Sequence, residues 1–120
     1  IKNIKLPVSA PFHCNLMYKA TENMKDKINN LNISNGLNNL ISNVTAKETT
    51  NPKEIKDLLI KQIENRVRWR ESVLNMIASG VGQFIEIGPG KVLSGLIKRI
   101  NKDVKFISIN TEEDIKNMSI

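Results

Sequence analysis

The two residues best suited to acid–base and nucleophilic chemistry, a histidine and a cysteine, each occur once and adjoin as His13 and Cys14 in the stretch LPVSAPFHCNLM. A histidine can act as a general base because its ordinary pKa lies close to physiological pH. Side chains that adjoin in sequence usually diverge, so we do not expect a base–nucleophile pair within this dipeptide. A Gly-x-Ser-x-Gly nucleophile elbow is absent from the 120 residues. His13 is therefore either a structural residue or a base whose nucleophile lies outside this chain.

The glycine-rich stretch IGPGKVLSG could in principle cradle a phosphate between a strand and a helix. A phosphate-binding P-loop needs four residues between its first glycine and the Gly-Lys pair, followed by Ser or Thr. Here Gly88 is too close to that pair, and Val92 occupies the hydroxyl position. A dinucleotide-binding fingerprint also fails, because its third glycine is missing at the required spacing. We expect Gly88 and Gly90 to allow a tight turn instead.

The composition limits the classes of partner. The chain has 120 residues, 40% apolar content and a formal net charge of +6, which is typical of a folded domain that attracts anionic partners. One cysteine cannot form an internal disulfide or a paired-cysteine zinc site, so a reducing compartment and no metal are expected. Apolar clusters of about four to eight residues are too short to span a bilayer, and no secretory leader opens the chain, so no membrane partner is expected. Trp69 between two arginines is a single aromatic residue rather than a stacking platform, which argues against nucleic-acid binding.

The elements that position His13 can be read from apolar periodicity. Residues 4 to 8 alternate between apolar and polar types and predict a short strand that leads into a loop at Pro11, so that His13 would lie in the turn after a strand. From Asn15, taken as an N-cap, apolar residues recur every three or four positions and predict a helix of about four turns. A short strand is expected around residues 40 to 44.

The rest of the chain gives clearer helix and strand signals. In the stretch NPKE, Asn51 is a cap, Pro52 takes the first helical position and Glu54 follows three residues after the cap. The apolar stripe of that helix contains Leu58 and is flanked by Gln62. The remaining elements are a helix over residues 69–79, a strand over 84–87, a helix through 93–100, a strand over 104–109 and a short helix or tail. This alternation predicts an α/β protein with a largely parallel sheet.

Three stretches, PVSAPFHCNLM, NVT and LLIKQIENRVRWRESVLNMIASGVGQFIEIGPGKVLSGLIKRI, carry a resemblance that extends over nearly the whole chain. They resemble the C-terminal portion of the malonyl-CoA:acyl carrier protein transacylases of type II fatty acid synthesis. The resemblance implies the C-terminal part of an α/β-hydrolase-like acyltransferase core. Residues 1–10 would form the last strand of the small ferredoxin-like subdomain and the return to the core. Residues 11–120 would form the C-terminal part of the large subdomain.

The activity implied by the resemblance is a ping-pong transfer through an acyl-enzyme, without a cofactor. A serine in a Gly-His-Ser-Leu-Gly elbow attacks the thioester of malonyl-CoA, and the malonyl group then passes to the phosphopantetheine thiol of acyl carrier protein. That serine, the arginine that pairs with the malonyl carboxylate and an oxyanion-hole glutamine would all lie upstream. The chain begins with Ile1 rather than methionine and looks like an excised segment. We expect such a segment alone to be inactive and to associate, through exposed core surface, with itself or with another chain such as the missing N-terminal half of the same enzyme.

The resemblance also assigns roles to individual residues. His13 would be the general base, and the main-chain carbonyl of Gln62 would orient it. Phe12 and Asn43 are expected at the substrate site, where the bulk of Phe12 would favour malonyl over methylmalonyl. An ordinary turn asparagine is the alternative for Asn43. Docking of the acidic carrier protein is expected from Lys91, Lys98, Arg99 and Lys102, with an ordinary solvated helix face as the alternative.

Two other functions remain open from the sequence. One is a malonyl-loading acyltransferase domain of a polyketide synthase. The other is a catalytically inactive module that binds carrier protein. The abundance of lysine, asparagine and isoleucine is typical of AT-rich coding DNA, which would suit the cytoplasm of a low-GC bacterium or a plastid such as an apicoplast.

Overall fold

The computed structural model describes residues 9–118. The strand predicted over residues 4 to 8, and with it most of the predicted segment 1–10, lies outside the described residues. The chain divides into two compact units, Ile1–Ser72 and Val73–Ile120. Each unit has its own buried apolar residues, which anchor the elements described below.

The first unit contains helices and one small hairpin. Its elements are a 3₁₀ turn at Asn15–Met17, helix α1 at Tyr18–Asn29, strand β1 at Leu40–Ile41, strand β2 at Glu48–Thr49 and helix α2 at Pro52–Gln62. Helix α3, at Trp69–Ala78, begins in the first unit and continues into the second, close to the predicted bounds. Its end is followed by Gly80, which has a positive φ of 95°.

The start of α1 differs from the prediction that Asn15 is its N-cap. Asn15 instead opens the 3₁₀ turn, and α1 begins only at Tyr18. Neither residue at the two cap positions, Cys14 or Met17, makes a side-chain cap hydrogen bond. Cys14 is extended, with φ of −147° and ψ of 171°, and its thiol donates to the carbonyl of Pro11 at 3.2 Å. The chain therefore tightens through one turn of 3₁₀ helix before the α-helix can form.

Helix α2 begins as its sequence predicts. The side-chain oxygen of Asn51 accepts hydrogen bonds from the backbone N–H groups of Lys53 at 3.0 Å and Glu54 at 3.1 Å. Pro52, which has no N–H to leave unpaired, occupies the first turn. Ile55 and Leu58 are buried on one face of the helix. This packing fixes α2 in the first unit and so fixes the place of its last residue, Gln62.

The predicted strand over residues 40 to 44 is shorter in the structure and has an unpredicted partner. β1 and β2 pair antiparallel, with Leu40 opposite Thr49 and Ile41 opposite Glu48. The strand stops at Ile41 because Ser42 closes the connecting turn, in which its N–H donates to the carbonyl of Lys47 at 3.0 Å. The β1–β2 hairpin therefore adds an antiparallel strand pair to a protein of the α/β class.

The second unit contains the parallel strands. Its elements after α3 are strand β3 at Gln83–Ile87, helix α4 at Val92–Ile100, strand β4 at Lys105–Ile109 and helix α5 at Glu112–Lys116. β3 and β4 pair in parallel, with Ile85 opposite Ile107, and α4 forms the crossover between them. The α/β class with a parallel sheet is thus confirmed. Gly88 and Gly90 have φ of 135° and 93°, so the turn before α4 uses backbone conformations that side chains with a Cβ rarely adopt.

A carboxylate joins β3 to the start of α4. Glu86 accepts hydrogen bonds from the N–H groups of Leu93 at 2.9 Å and Ser94 at 2.8 Å, and from the Ser94 hydroxyl at 2.7 Å. These bonds, led by that from the Ser94 hydroxyl, lower the pKa of Glu86 below its ordinary value. The negative charge also lies where a helix N-terminus favours it. Within residues 9–118, no helix has the length and apolar character required to cross a membrane.

Candidate active site

His13 lies in an exposed turn, and its backbone is unusual for a residue with a side chain. Its φ is 61°, in the left-handed region. The turn before it is closed by a hydrogen bond from the N–H of Phe12 to the carbonyl of Ala10 at 2.9 Å. Strained residues of this kind are concentrated at functional sites, where surrounding contacts hold them.

One contact defines the chemical state of the His13 ring. Nδ1 of His13 lies 2.7 Å from the main-chain oxygen of Gln62. A carbonyl oxygen can only accept a hydrogen bond, so Nδ1 must carry the proton and donate it. In the neutral ring, Nε2 then has the free lone pair. This is the tautomer that a general base acting through Nε2 needs.

The Gln62 carbonyl is available because α2 ends at this residue. The preceding carbonyl, that of Lys61, accepts from the N–H groups of Glu64 at 3.3 Å and Asn65 at 3.1 Å, and from the Asn65 side chain at 2.7 Å. The bonds that end the helix are thus made to the Lys61 carbonyl, and the carbonyl of the next residue, Gln62, accepts from His13. Asparagine side chains commonly compete with the helix ladder in this way.

Asn43 contacts Gln62 directly, which the sequence did not indicate. Its Nδ2 donates to Oε1 of Gln62 at 3.2 Å, and its main-chain oxygen accepts from the N–H of Arg68 at 2.8 Å. Asn43 and Gln62 also line a small cavity, otherwise mostly apolar, between β1 and α2. The 19 residues that separate the two side chains conceal this contact, because no local pattern reports a tertiary hydrogen bond.

The other candidate residues near His13 are placed as follows. Phe12 is 57% exposed and adjoins the base in the same turn. The thiol of Cys14 donates to the carbonyl of Pro11 at 3.2 Å, whereas the hydrogen bond of the His13 ring is to Gln62. The two adjoining side chains therefore have different partners, as diverging neighbours do. No group of three or more His, Cys, Asp or Glu side chains in the described part of the chain is arranged to hold a metal ion.

The four basic residues proposed from the resemblance are all exposed in the second unit. Lys91 precedes α4, Lys98 and Arg99 are in its last turn, and Lys102 follows it. The Lys98 ammonium lies 6.0 Å from the centroid of the Phe106 ring, at the outer limit of a cation–π contact. Lys98 and Arg99 place positive charge at the C-terminal end of α4, where the helix dipole favours it.

Comparison with known proteins gives consistent matches in sequence and structure. The malonyl CoA-acyl carrier protein transacylase of Bacillus subtilis is 45% identical over 113 residues, which are 94% of this chain and 36% of that protein. The crystal structure of an acyl-carrier-protein S-malonyltransferase from Bartonella henselae matches 92% of this chain and 35% of its own, with 45% identity and a TM-score of 0.87. A malonyl-transacylase in complex with a type II PKS acyl-carrier protein matches with 34% identity and a TM-score of 0.85, over 92% of this chain and 36% of its own. No protein-family model matches the chain.

Proposed function

This chain is homologous to one part of the malonyl CoA-acyl carrier protein transacylases, and from that premise we propose that it supplies the general base for malonyl transfer from malonyl-CoA to acyl carrier protein. The chain spans 36% of the length of the Bacillus subtilis relative. The activity is therefore proposed for the whole protein, to which this chain contributes His13 and Gln62. The observation that carries the proposal is the 2.7 Å contact between Nδ1 of His13 and the Gln62 carbonyl.

The proposed role of His13 is proton transfer through Nε2. A serine hydroxyl from chain outside these 120 residues attacks the thioester carbonyl, and Nε2 takes the hydroxyl proton. When the C–S bond breaks, the departing CoA sulfur receives that proton, which leaves a malonyl-serine ester and a neutral histidine. In the second half, Nε2 takes the proton of the phosphopantetheine thiol, and the sulfur attacks the ester. The serine oxygen leaves and recovers the proton.

The Gln62 carbonyl takes the place that a carboxylate has in serine hydrolases. It accepts the Nδ1–H bond and so holds the ring in one tautomer and one orientation. A neutral dipole stabilises the imidazolium less than a full negative charge would. We therefore assign Gln62 the positioning of the base as its main contribution.

Phe12 is proposed to select malonyl over methylmalonyl. Its side chain is exposed next to His13, where bulk can oppose an added methyl group at the α-carbon. A single methyl group is worth about 1–3 kcal/mol of discrimination in such a pocket. Asn43 was also expected at the substrate site, and its bond to Gln62 suggests a different role, argued below.

The carrier-protein partner is proposed from charge. Lys91, Lys98, Arg99 and Lys102 are exposed, and a cationic surface favours docking of an acidic protein. One structural neighbour is a malonyl-transacylase in complex with a type II PKS acyl-carrier protein, which supports a carrier protein as the partner. We propose fatty acid synthesis as the pathway, with polyketide synthesis as the alternative that this neighbour favours. The Bacillus subtilis relative favours the bacterial cytoplasm as the compartment, ahead of a plastid.

The experiment that tests the function is malonyl transfer by the full-length protein to purified holo carrier protein. We expect a malonyl thioester on holo carrier protein and none on the apo form, which lacks the phosphopantetheine thiol. Mass spectrometry of the carrier protein reads both directly. Tight binding of holo carrier protein without any malonyl transfer would contradict the proposal and favour the inactive binding module.

A further inference from the structure

Asn43 lies in the turn between β1 and β2, which is held by hydrogen bonds of the buried residue Ser42. The N–H of Ser42 donates to the Lys47 carbonyl at 3.0 Å, and the Ser42 carbonyl accepts from the N–H of Ala46 at 2.8 Å. The Ser42 hydroxyl accepts from the N–H of Val44 at 3.1 Å. Ser42 and Ala46 are only 4% and 2% exposed. The turn therefore fixes the position of Asn43 independently of anything Asn43 itself contacts.

From this fixed turn, Asn43 binds both ends of the segment that joins α2 to α3. Its side chain donates to Gln62, the last residue of α2, at 3.2 Å. Its main-chain oxygen accepts from Arg68, the residue before α3, at 2.8 Å. One residue of the hairpin thus holds the segment at both of its ends.

The first of these two bonds acts on the residue that orients the base. Gln62 accepts from Asn43 through its side chain and from His13 through its main chain. The bond to Oε1 holds the Gln62 side chain, and the bond from Arg68 holds the backbone at the other end of the same segment, so together they restrain the main chain that includes the Gln62 carbonyl. We propose that Asn43 is a positioning residue, which holds Gln62 so that its carbonyl fixes the tautomer and orientation of His13. Its catalytic consequence rests on the function proposed above.

This role differs from a substrate contact in what it predicts. A residue that binds malonyl-CoA would raise KM when it is removed. A residue that orients the base would lower the rate of acyl-enzyme formation and leave KM near its original value, because misplacing a reacting group slows the chemical step. The two roles can therefore be separated by kinetics.

The test uses three variants of the full-length protein: Asn43→Leu, Gln62→Met and the double variant. Leucine has the same branching at Cγ as asparagine and removes the donor, and the adjoining cavity is lined mostly by apolar side chains such as Leu40, Ile55 and Leu58. Methionine keeps the main-chain carbonyl of Gln62 and replaces the side-chain amide, including the Oε1 that accepts from Asn43, with an unbranched thioether of similar length. Asn39→Leu is the matched control, because Asn39 lies in the same hairpin region and its amide donates to Glu48 instead.

We expect each single variant to form the acyl-enzyme about tenfold more slowly, with KM for malonyl-CoA changed by less than about twofold. The double variant should be no slower than either single variant, because both remove the same hydrogen bond. Asn39→Leu should react at the wild-type rate. An unchanged rate in a folded Asn43→Leu protein, or a raised KM with an unchanged maximal rate, would overturn the inference. If Asn43→Leu fails to fold, Gln62→Met carries the same test.

A second measurement does not depend on catalysis. The ¹⁵N signals of the His13 ring, assigned by their loss in His13→Ala, report which nitrogen carries the proton. We expect Nδ1 to be protonated in the wild type, and the signals to move toward the average of the two tautomers in Asn43→Leu. Wild-type-like signals in that variant would refute the positioning role. A wild-type protein that forms no acyl-enzyme would refute the proposed function. The ¹⁵N signals would still show, in that case, whether Asn43 fixes the tautomer of His13.

Discussion

At the scale of single residues, His13 combines an unfavourable backbone with a favourable side-chain bond. Its left-handed φ of 61° costs a residue with a Cβ about 1–2 kcal/mol. The ring is nevertheless held at 2.7 Å from the Gln62 carbonyl, which fixes Nδ1 as the donor. The sequence could indicate His13, because it is the one histidine and follows a predicted strand end. The contact from Asn43 to Gln62 could not be foreseen, because it depends on the tertiary packing of a hairpin against α2.

Replacement of Phe12 tests selectivity at the same scale. Phe12→Ala should narrow the preference for malonyl-CoA over methylmalonyl-CoA by about tenfold to a hundredfold, because it removes the bulk that opposes a methyl group. The measurement is the ratio of kcat/KM for the two substrates with the full-length enzyme. Leu16→Ala is the control, since Leu16 is nearby in sequence and 73% exposed. Equal ratios in wild type and Phe12→Ala would exclude Phe12 as the selecting residue.

At the scale of elements, both ends of α2 serve the site. Its beginning is fixed by the Asn51 cap, and its end exposes the Gln62 carbonyl to His13. α2 and α4 could be predicted because apolar stripes and terminal signals agree over about ten residues. β2 could not be predicted, since a two-residue strand has no periodicity to detect. Asn15 was misassigned because a good capping residue does not by itself start an α-helix when a 3₁₀ turn intervenes.

The cap of α2 predicts a difference between two asparagines. Asn51→Ala should lower the free energy of unfolding by about 1 kcal/mol, because two backbone N–H groups lose their acceptor. Asn15→Ala should change it by less than about 0.5 kcal/mol, because Asn15 is exposed and makes no cap. Urea denaturation of both variants gives the comparison. If Asn15→Ala lowered the free energy of unfolding more than Asn51→Ala does, the start of α1 would have been wrongly described.

The lowered pKa of Glu86 predicts a pH-dependent stability. Its bonds to Leu93 and Ser94 favour the carboxylate in the folded state, so the unfolded state binds the proton more readily. The stabilisation is complete above the ordinary glutamate pKa of about 4.3 and is lost as the pH falls through the lower folded value.

We therefore expect Glu86→Gln to melt at a lower temperature than wild type at pH 7, with a difference that shrinks below about pH 4. The melting temperatures of both proteins, measured by thermal unfolding at pH 7 and below about pH 4, give this difference. Glu22→Gln, a change at an exposed position of α1, should melt close to the wild-type temperature at pH 7. A Glu86→Gln difference that grows on acidification would contradict the sign of the shift.

At the scale of the whole molecule, each of the two units contains some of the candidate functional residues. The first unit contains His13, Gln62 and Asn43, and the second contains the basic end of α4. Apolar side chains are also exposed in the second unit, including Ile87 at 80% and Val92 at 70%. The chain spans 36% of its Bacillus subtilis relative, so every test of activity requires the full-length protein.

Charge reversal in α4 tests the docking of carrier protein. Lys98→Glu with Arg99→Glu should raise KM for holo carrier protein about tenfold or more at low salt, with less effect as added salt screens the charges. KM for malonyl-CoA should remain close to the wild-type value. The control, Lys19→Glu with Lys25→Glu, makes the same change in net charge on exposed positions of α1. Equal effects of the two pairs would mean that net charge, rather than the end of α4, governs docking.

The central claim is that His13 is the base for formation of a malonyl-serine intermediate. Its most direct test is the intact mass of full-length protein after brief exposure to malonyl-CoA, compared between wild type and His13→Ala. We predict a malonyl adduct that forms rapidly in the wild type and about a hundredfold or more slowly in the variant. Equal rates in the two proteins, or malonyl-CoA bound to the wild type without any adduct, would contradict the claim.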